Sequence, residues 1–264
     1  MSTHTGRYPQ RLAAPRIAEL VADELRRRII DGELTDGDLL PRQDVLVKQF
    51  RVSLVSLREA LRILETEGLI SVRRGNRGGA IVHSPTQESA AYMVGLVLQN
   101  EFVDVSDLGT ALLELEPTCA ALGAQREDRQ DTLVPQLHEL NDVMAAHLAD
   151  GSRFTEVGRQ FHDAIVRGCG NHTMITVIGS LESLWTRHER SWAAHSNSTG
   201  AYPTVARRRT ALNAHKRITD LIADGAADRA RRIAATHLAE TQTYVLAEGQ
   251  THRIVVTSQS SFTR

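Results

Sequence analysis

The side chains best suited to recognition chemistry in this sequence lie between residues 42 and 78. They are arginines, small hydroxyl residues, an asparagine and a glycine, namely Arg42, Ser53, Ser56, Arg58, Arg62, Arg73, Arg74, Asn76, Arg77 and Gly78. Guanidinium and hydroxyl groups bind phosphate oxygens, and the fork of an arginine also matches the major-groove edge of guanine. These residue types predict binding to double-stranded DNA.

A helix over residues 54–66 is the element that must present the central members of this set. Its apolar residues recur at helical spacing and form one face, made of Leu57, Ala60, Leu61 and Leu64. Ser53 stands where an N-cap residue belongs, and Gly68 is the residue type that usually follows a helix in the left-handed conformation. The polar side chains of the helix then lie largely away from its apolar face.

The sequence predicts further secondary-structure elements on either side of this helix. Residues 42–50 have the spacing of a short helix, and residues 51–52 form the turn that follows it. Residues 70–72 and 80–82 alternate as half-buried strands around an arginine- and glycine-rich turn. This is the layout of a winged helix-turn-helix, which places one helix in the major groove. Taken alone, a helix pair with a hairpin is also typical of a structural scaffold, and a basic turn is usually only solvated. The order of these elements together favours DNA binding.

The position of each residue decides which part of the DNA it is predicted to contact. Arg58, on the N-terminal half of the second helix, is the best candidate for a base contact, whereas Ser53 and Ser56 suit phosphates or base edges. The arginines of the hairpin tip suit phosphate or the minor groove. Residues 42–82 contain eight Lys or Arg against four Asp or Glu, a local positive charge that the whole chain, at −1, conceals.

Residues 15–83 resemble the DNA-binding domain of the GntR-type bacterial transcription regulators. The matching positions are Gly32-Glu33-Leu34, Gly37, Leu40-Pro41, Val52-Ser53, Leu57-Arg58-Glu59-Ala60-Leu61, Leu64 and Glu67-Gly68-Leu69. The chain departs from the family where Arg42-Gln43 replaces the usual Ser-Glu, and where Leu54 replaces an arginine that commonly contacts the operator. Leu54 is therefore expected either to pack on a thymine methyl group or to join the edge of the core.

The length and composition of the chain limit its number of domains, its location and its partners. With 264 residues the chain has room for two modest domains, each with its own core. Its two cysteines, Cys119 and Cys169, provide no disulfide framework and are expected to be buried free thiols. The sequence has no signal-peptide pattern and no long apolar run, which predicts a cytoplasmic protein without a membrane partner. Aromatic residues make up only 4%, which argues against a stacking platform for single-stranded nucleic acid.

The sequence predicts a mainly α protein in several segments. They are a flexible tail at residues 1–14, the winged helix-turn-helix domain with its small β-hairpin at 15–83, a linker at 84–87, an all-helical domain at 88–248 and a frayed tail at 249–264. The helical domain shows six to seven helix patterns and no strand pattern, which indicates an all-α bundle. A loop is expected at residues 196–200, where small polar residues cluster.

Residues 88–247 resemble the ligand-sensing helical domain of the FadR subfamily of GntR regulators, called the FCD domain. The matching stretches are Leu115-Glu116-Pro117, Ala120-Ala121-Leu122, Phe161-His162-Asp163-Ala164-Ile165, Gly170-Asn171, Ala214-His215-Lys216-Arg217-Ile218, and Ala230 through His237-Leu238. The resemblance implies that His162, His215 and His237 bind a divalent metal such as zinc or nickel. A lone histidine on a helix is more often a core or surface residue, so structural histidines are the alternative.

Two positions depart from the family pattern in this domain. Gly158 stands where the family has a metal-binding aspartate, and Leu112 where it often has an arginine that grips an anionic effector. Both changes remove polar groups from the expected pocket. Three imidazoles can still hold a metal, with water or an effector carboxylate in the open positions. Arg187 and Arg190 are candidate contacts for an anionic effector, or else part of a solvated face.

Together these patterns predict a sequence-specific transcription regulator, a repressor rather than an activator, that binds an inverted-repeat operator as a homodimer. A small metabolite, in particular an organic acid, is expected to act from the helical domain through a difference in affinity between two arrangements of the protein. One alternative is a metal-dependent enzyme that uses the three histidines. Another is a DNA-binding protein without sequence preference. The enzyme is disfavoured because no motif places a general base.

Overall fold

The computed structural model describes residues 16–72, 79–246 and 253–256. The chain divides after Thr86 into two compact units. Several residues with predicted roles lie outside the described ranges, namely the tail at 1–14 and the hairpin-tip contacts Arg73, Arg74, Asn76, Arg77 and Gly78.

The first unit is built from helices and a hairpin. Within residues 16–72 and 79–86 these are α1 at Ile17–Ile30, α2 at Gln43–Phe50, α3 at Leu54–Thr66, β1 at Ile70–Val72 and β2 at Ala80–Val82. The two strands are antiparallel, with Ile70 opposite Val82 and Val72 opposite Ala80. The predicted winged helix-turn-helix with a small hairpin is therefore confirmed as a fold.

An apolar core between α1, α3 and the hairpin holds this unit together. Leu25 of α1 and Leu57 and Leu64 of α3 are at most 1% exposed. Burying each leucine side chain contributes about 1.5–3 kcal/mol. Because the leucines of α3 recur at helical spacing, their burial turns the polar side of α3 outward.

Local chemistry sets both ends of α3. The Ser53 hydroxyl accepts a hydrogen bond from the backbone N–H of Ser56 at 3.1 Å, so Ser53 is the N-cap, as predicted. Arg51, in the turn before the helix, has a φ of 54°, which is uncommon for a residue other than glycine. Gly68, after the helix, has a φ of 74°, which glycine adopts without steric penalty. These ends fix the length and the starting direction of α3.

Replacing Ser53 by alanine is expected to lower the free energy of unfolding of the first unit by about 1 kcal/mol, because the backbone N–H of Ser56 loses its acceptor. Chemical denaturation followed by circular dichroism measures the change. Ser53→Thr keeps the hydroxyl and serves as the control, with a stability close to that of the wild type. Equal losses in the two variants would contradict the capping role.

The second unit is a helical bundle. Within residues 87–246 its helices are α4 at Gln87–Asn100, α5 at Val105–Gln125, α6 at Leu133–Ala146, α7 at Gly151–Arg167, α8 at His172–Thr199, α9 at Val205–Ala223 and α10 at Ala227–Leu246, with a 3-10 turn at Glu127–Gln130. Leu137, Phe161 and Ile218 are fully buried in its main core. The predicted all-α bundle is confirmed. Among the described residues, none of the helices has the length and apolar character that a membrane crossing requires.

The loop predicted at residues 196–200 is wrong for residues 196–199, and only Gly200 lies outside the helix. Helix α8 continues to Thr199, and Ser196 is fully buried. The hydroxyls that favour a loop donate to helix carbonyls instead, since Ser198 and Thr199 both bond the carbonyl oxygen of His195, at 2.7 and 3.1 Å. Small polar residues are therefore compatible with a helix here, because their side chains bond back to the preceding turn and Ser196 packs inside the bundle.

Part of the predicted frayed tail packs on the bundle. Ile254 is 5% exposed and belongs to the main core, and its backbone N–H donates to the Val103 carbonyl at 3.2 Å. The N–H of Val256 donates to the side chain of Gln99 at 2.9 Å. For residues 253–256 the prediction of fraying is therefore wrong, because their apolar side chains gain contacts with distant helices that no local pattern reveals.

Candidate functional site

The solvent side of α3 carries most of the predicted DNA contacts that the structure describes. Ser53, Leu54, Arg58 and Arg62 are exposed, and Ser56 is partly exposed. The opposite face of the helix is buried in the core, so these side chains share one accessible side. The major groove of DNA admits a helix presented in this way.

Arg58 on α3 and Arg42 at the start of α2 are held differently. The Nε of Arg58 donates a hydrogen bond to Oε1 of Gln43 at 3.4 Å, which links α3 to the first residue of α2. Sequence reasoning assigns no role to Gln43, because this contact joins residues on different helices. The Arg42 side chain is 87% exposed and lies 3.5 Å from the Asp44 carboxylate. So exposed an ion pair holds a side chain weakly, which leaves Arg42 available to a phosphate.

Two apolar side chains at the start of α3 are open to solvent. Leu54 is 42% exposed and Val55 is 74% exposed. Leu54 therefore lies outside the core of this unit, and the alternative that it joins the core edge is wrong. Sequence reasoning overlooks Val55, although its place off the apolar face of the helical pattern signals exposure. Both side chains can offer methyl groups to a thymine.

The three predicted metal-binding histidines converge in the second unit. His162 lies on α7, His215 on α9 and His237 on α10, and one ligand nitrogen from each lies within 4.8 Å of the others. His215 and His237 are 1% and 3% exposed. Their Nε2 atoms are 2.8 Å apart, a distance at which one donates a hydrogen bond to the other. Helices far apart in sequence thus build one histidine cluster.

Ring packing fixes the orientation of these imidazoles. The ring of Phe161 stacks on that of His215, with centroids 4.0 Å apart and 7° between the planes. The ring of His162 is parallel to that of His237 at 5.3 Å. Because Phe161 is fully buried, it forms a rigid wall of the cluster. Side chains locked in this way hold their nitrogens in place before a ligand arrives.

Glu116 is a member of the site that sequence reasoning does not assign. It is 5% exposed, and its carboxylate is hydrogen bonded to Nδ1 of His162. A carboxylate on one ring nitrogen is the usual support of a metal-binding histidine, and it leaves Nε2 as the ligand atom. The family motif at 115–117 identifies the residue but not its contact, because the partner lies 46 residues away on another helix.

Burial keeps two of the imidazoles uncharged. Burial and the neighbouring His162 lower the pKa of His237 to about 3. Burial, together with His237 and His162, lowers the pKa of His215 well below its usual value. Burial also disfavours a charged His162, but the charge and hydrogen bond of Glu116 outweigh it and raise the pKa of His162. Neutral imidazole is the form that binds a metal ion.

The donor set fits a divalent metal. Three imidazole nitrogens without a thiolate suit zinc, nickel and similar ions. At Gly158 an added Cβ atom would lie 3.4 Å from Cε of Met144 and 4.0 Å from Cε1 of His215, so there is space beside the cluster where the family has its aspartate. The cluster therefore combines three nitrogen ligands with an open side.

Two cavities flank the histidine cluster, and His162 borders both. The larger has a volume of about 420 Å³ and extends past Leu112 on α5. The smaller has a volume of about 100 Å³ and reaches Gly158, His215 and His237. A cavity of the larger size is typical of small-molecule sites.

Both arginines predicted as effector contacts line the larger cavity. The Arg190 side chain is 60% exposed and lies 3.8 Å from the Glu156 carboxylate. Arg187 is less exposed, and its Nη1 is buried without a hydrogen-bond partner in the part of the chain that the structure describes. Arg187 is therefore the better placed of the two to hold an anion inside the cavity.

A winged helix-turn-helix together with a helical bundle that has a ligand-sized cavity is the architecture of a DNA-binding regulator. Comparison with known families identifies which one. Residues 17–79 match the bacterial regulatory proteins of the gntR family, and residues 107–240 match the FCD domain. This chain belongs to the GntR family of bacterial regulatory proteins, among the members that carry an FCD domain.

Several relatives are named as repressors. The HTH-type transcriptional repressor NanR of Klebsiella aerogenes is 26% identical over 238 residues, which cover 86% of this chain and 84% of that protein. The gluconate operon transcriptional repressor of Bacillus licheniformis is 30% identical over 174 residues, 65% of this chain and 63% of that protein. The matched region of NanR from Cronobacter sakazakii covers 66% of that protein. The solved structure of Streptococcus agalactiae GntR shares the fold, with a TM-score of 0.63 and 22% identity over 85% of this chain and 98% of that chain.

Proposed function

We propose that this chain is a metabolite-responsive repressor of the FadR subfamily that binds an inverted-repeat operator as a homodimer. The observation that carries the proposal is the accessible side of α3, where Ser53, Ser56 and Arg58 stand on a helix anchored by buried leucines. The names of its relatives, which are repressors, support repression. Because the proposed partner is the bacterial chromosome, we place the protein in the cytoplasm.

The proposed contacts follow from the exposure and type of each side chain. Arg58 reads a base edge, and Leu54 packs on a thymine methyl group. Ser53 and Ser56 bond phosphates or base edges, and the remaining residues contact the backbone or the minor groove. These remaining residues are Arg42, Arg62, Arg73, Arg74, Asn76, Arg77 and Gly78.

An exposed apolar strip on α4 supports the proposal that two copies associate. Met93 and Val97 are 62% and 57% exposed, and they are one helical turn apart on the same side of the helix. Apolar groups that adjoin in this way are more stable when a second surface covers them. A two-fold dimer would also present two α3 helices to successive major grooves, as an inverted repeat requires.

Selection of random DNA duplexes by the purified full-length protein, followed by sequencing, tests this function. We expect a palindromic consensus whose two half-sites lie about one helical turn apart. The base opposite Leu54 should be a thymine more often than chance. Recovery of duplexes without a consensus would instead indicate DNA binding without sequence preference, and recovery of none would contradict the DNA-binding function.

We propose further that His162, His215 and His237 hold a divalent metal such as zinc or nickel. Glu116 would fix the tautomer and orientation of His162 through Nδ1. A bound metal supplies a Lewis-acid position for an oxygen atom of the effector. Since the ligands come from α7, α9 and α10, they would tie three helices of the bundle together at the wall of the smaller cavity, and His162 would also border the larger one.

Replacing Gly158 by aspartate is expected to tighten metal binding by about tenfold or more, because a carboxylate one helical turn before His162 adds a ligand at the open side of the cluster. The added Cβ atom would meet Met144 at 3.4 Å, an ordinary contact. Competition with a fluorescent zinc chelator measures the affinity. Gly158→Asn has nearly the same size without the charge and is the control. If both variants bind zinc as the wild type does, position 158 does not face the metal.

The proposed effector site is the larger cavity, and the proposed effector is a small organic acid. Arg187 supplies a guanidinium group for its carboxylate. The effector changes the affinity for DNA only if it binds one arrangement of the dimer better than another.

A further inference from the structure

The larger cavity holds more acidic than basic side chains. Its walls contain Glu88, Glu116, Glu156, Asp163, Glu182 and Glu189, against four arginines. A cavity that binds only a simple anion would be expected to have the opposite charge balance.

Several of these charges are already matched within the protein. Asp163 forms an ion pair with Arg167 at 2.8 Å, and Glu156 forms one with Arg159. Glu116 is hydrogen bonded to a histidine of the cluster. Because these carboxylates have partners, they are not the groups left to bind a ligand.

Glu182 is different. Both of its carboxylate oxygens are buried, and neither has a hydrogen-bond partner among the described residues. Burial raises the pKa of Glu182 well above its usual value, and the charges of Glu116 and Asp163 raise it further, while Arg167 opposes them. A buried polar group without a partner destabilises a protein, and a bound ligand is one reason for such a group to be present. The negative surroundings favour a positively charged partner.

Arg187 is the second charged group of this cavity with an unmet hydrogen bond. Its buried Nη1 has no acceptor within the described ranges. Glu182 and Arg187 are both on α8, five positions or about 7.5 Å apart along the helix axis. Within the described residues no ion pair joins them. The two positions are about 140° apart around the helix axis, and both side chains line the cavity. Among the described residues, the cavity therefore has one acid and one base with unmet hydrogen bonds, separated along and around α8.

We propose that the effector is a small zwitterion, whose ammonium group binds Glu182 and whose carboxylate binds Arg187. The inference rests on the proposed function of the larger cavity as the effector site. An ammonium group donates the hydrogen bonds that the Glu182 oxygens lack, and a carboxylate accepts from a guanidinium in the geometry that arginine favours. Leu112 leaves an apolar wall against which a short carbon chain can pack.

Calorimetric titration of the purified full-length protein, without DNA, tests the proposal with four five-carbon probes. Norvaline and δ-aminovalerate carry both charges at two spacings, valerate carries only the carboxylate, and pentylamine carries only the ammonium group. We expect one of the two amino acids to bind at least about tenfold more tightly than valerate and pentylamine, since it alone satisfies both Glu182 and Arg187.

Glu182→Gln is expected to weaken binding of the preferred amino acid by about tenfold to a hundredfold and to leave valerate unaffected. The glutamine keeps the shape of the side chain and cannot become charged, so the variant should fold. Arg187→Gln should weaken both the amino acid and valerate. The matched control is Glu114→Gln, which neutralises an exposed carboxylate of α5 that is not part of the cavity wall.

Three outcomes would overturn the proposal. They are binding of valerate as tight as that of the amino acids, unchanged binding of the amino acid by Glu182→Gln, and no binding of either amino acid at millimolar concentration. These titrations contain no DNA, so they are independent of the duplex selection that tests the regulator function. A palindromic consensus together with a failed titration would reject the zwitterion and keep the regulator.

Discussion

Replacing His215 by alanine is expected to lower the affinity for zinc by at least about a hundredfold, because the cluster keeps only two of its three nitrogen ligands. Zinc should then cease to protect the fold. A ligand at a hundred times its dissociation constant stabilises the folded state by about 2.7 kcal/mol, and this gain would be absent from the variant. Metal content after dialysis, measured by mass spectrometry, and Tm with and without added zinc are the measurements.

The control for this prediction is His138→Ala, which removes an exposed histidine from α6. Because His215 is buried, its truncation also leaves a void, so both variants are compared by metal content and by the zinc-dependent change in Tm rather than by Tm alone. Unchanged metal content in His215→Ala would remove this residue from the site. If the wild-type protein takes up no metal, the three histidines have a structural role, with His215 and His237 joined by a hydrogen bond.

Replacing Arg58 by alanine is expected to weaken binding to the selected operator by about 1–3 kcal/mol and to relax the preference at one base position of each half-site. The reason is geometric. Arg58 is exposed on the side of α3 away from the core, and its Nε is oriented by Gln43 at 3.4 Å. Binding of the variant to the consensus duplex and to single-base changes of it, by fluorescence anisotropy at fixed salt, measures both effects.

Arg77→Ala is the matched comparison, because it removes the same group from the hairpin tip, where contacts with phosphate are proposed. This variant should weaken all duplexes by a similar factor and lower the slope of affinity against salt by about one unit. The Arg58 variant should change the base preference instead. If both variants lose specificity to the same extent, the division between a base-reading helix and a backbone-binding wing is wrong.

The sequence predicts the structure of the winged unit better than that of the helical unit. Helix α3 covers the predicted residues 54–66, Ser53 caps it and Gly68 follows it in the left-handed conformation. Each of these features depends on groups within one or two helical turns, so a local pattern contains the necessary information. The sequence does not predict whether Leu54 lies inside or outside the core, because tertiary packing decides this.

For the helical unit, the sequence predicts the fold class but not all details of the structure. Residues 205–223, for example, form one helix of the predicted all-α bundle. The continuation of α8 through residues 196–199 and the packing of 253–256 are missed. In both segments contacts with other helices outweigh a local preference for irregular structure, and such contacts leave no periodic signal.

By itself the sequence determined the two kinds of fold, the family, and the identity of the three histidines through their resemblance to that family. Only the tertiary structure brings His162, His215 and His237 to within 4.8 Å and joins Glu116 to His162. It also leaves the carboxylate of Glu182 buried without a hydrogen-bond partner among the described residues. The physical reason is distance along the chain. Periodicity reports which face of a helix is apolar, whereas the meeting of polar side chains from four helices is decided by how those helices pack.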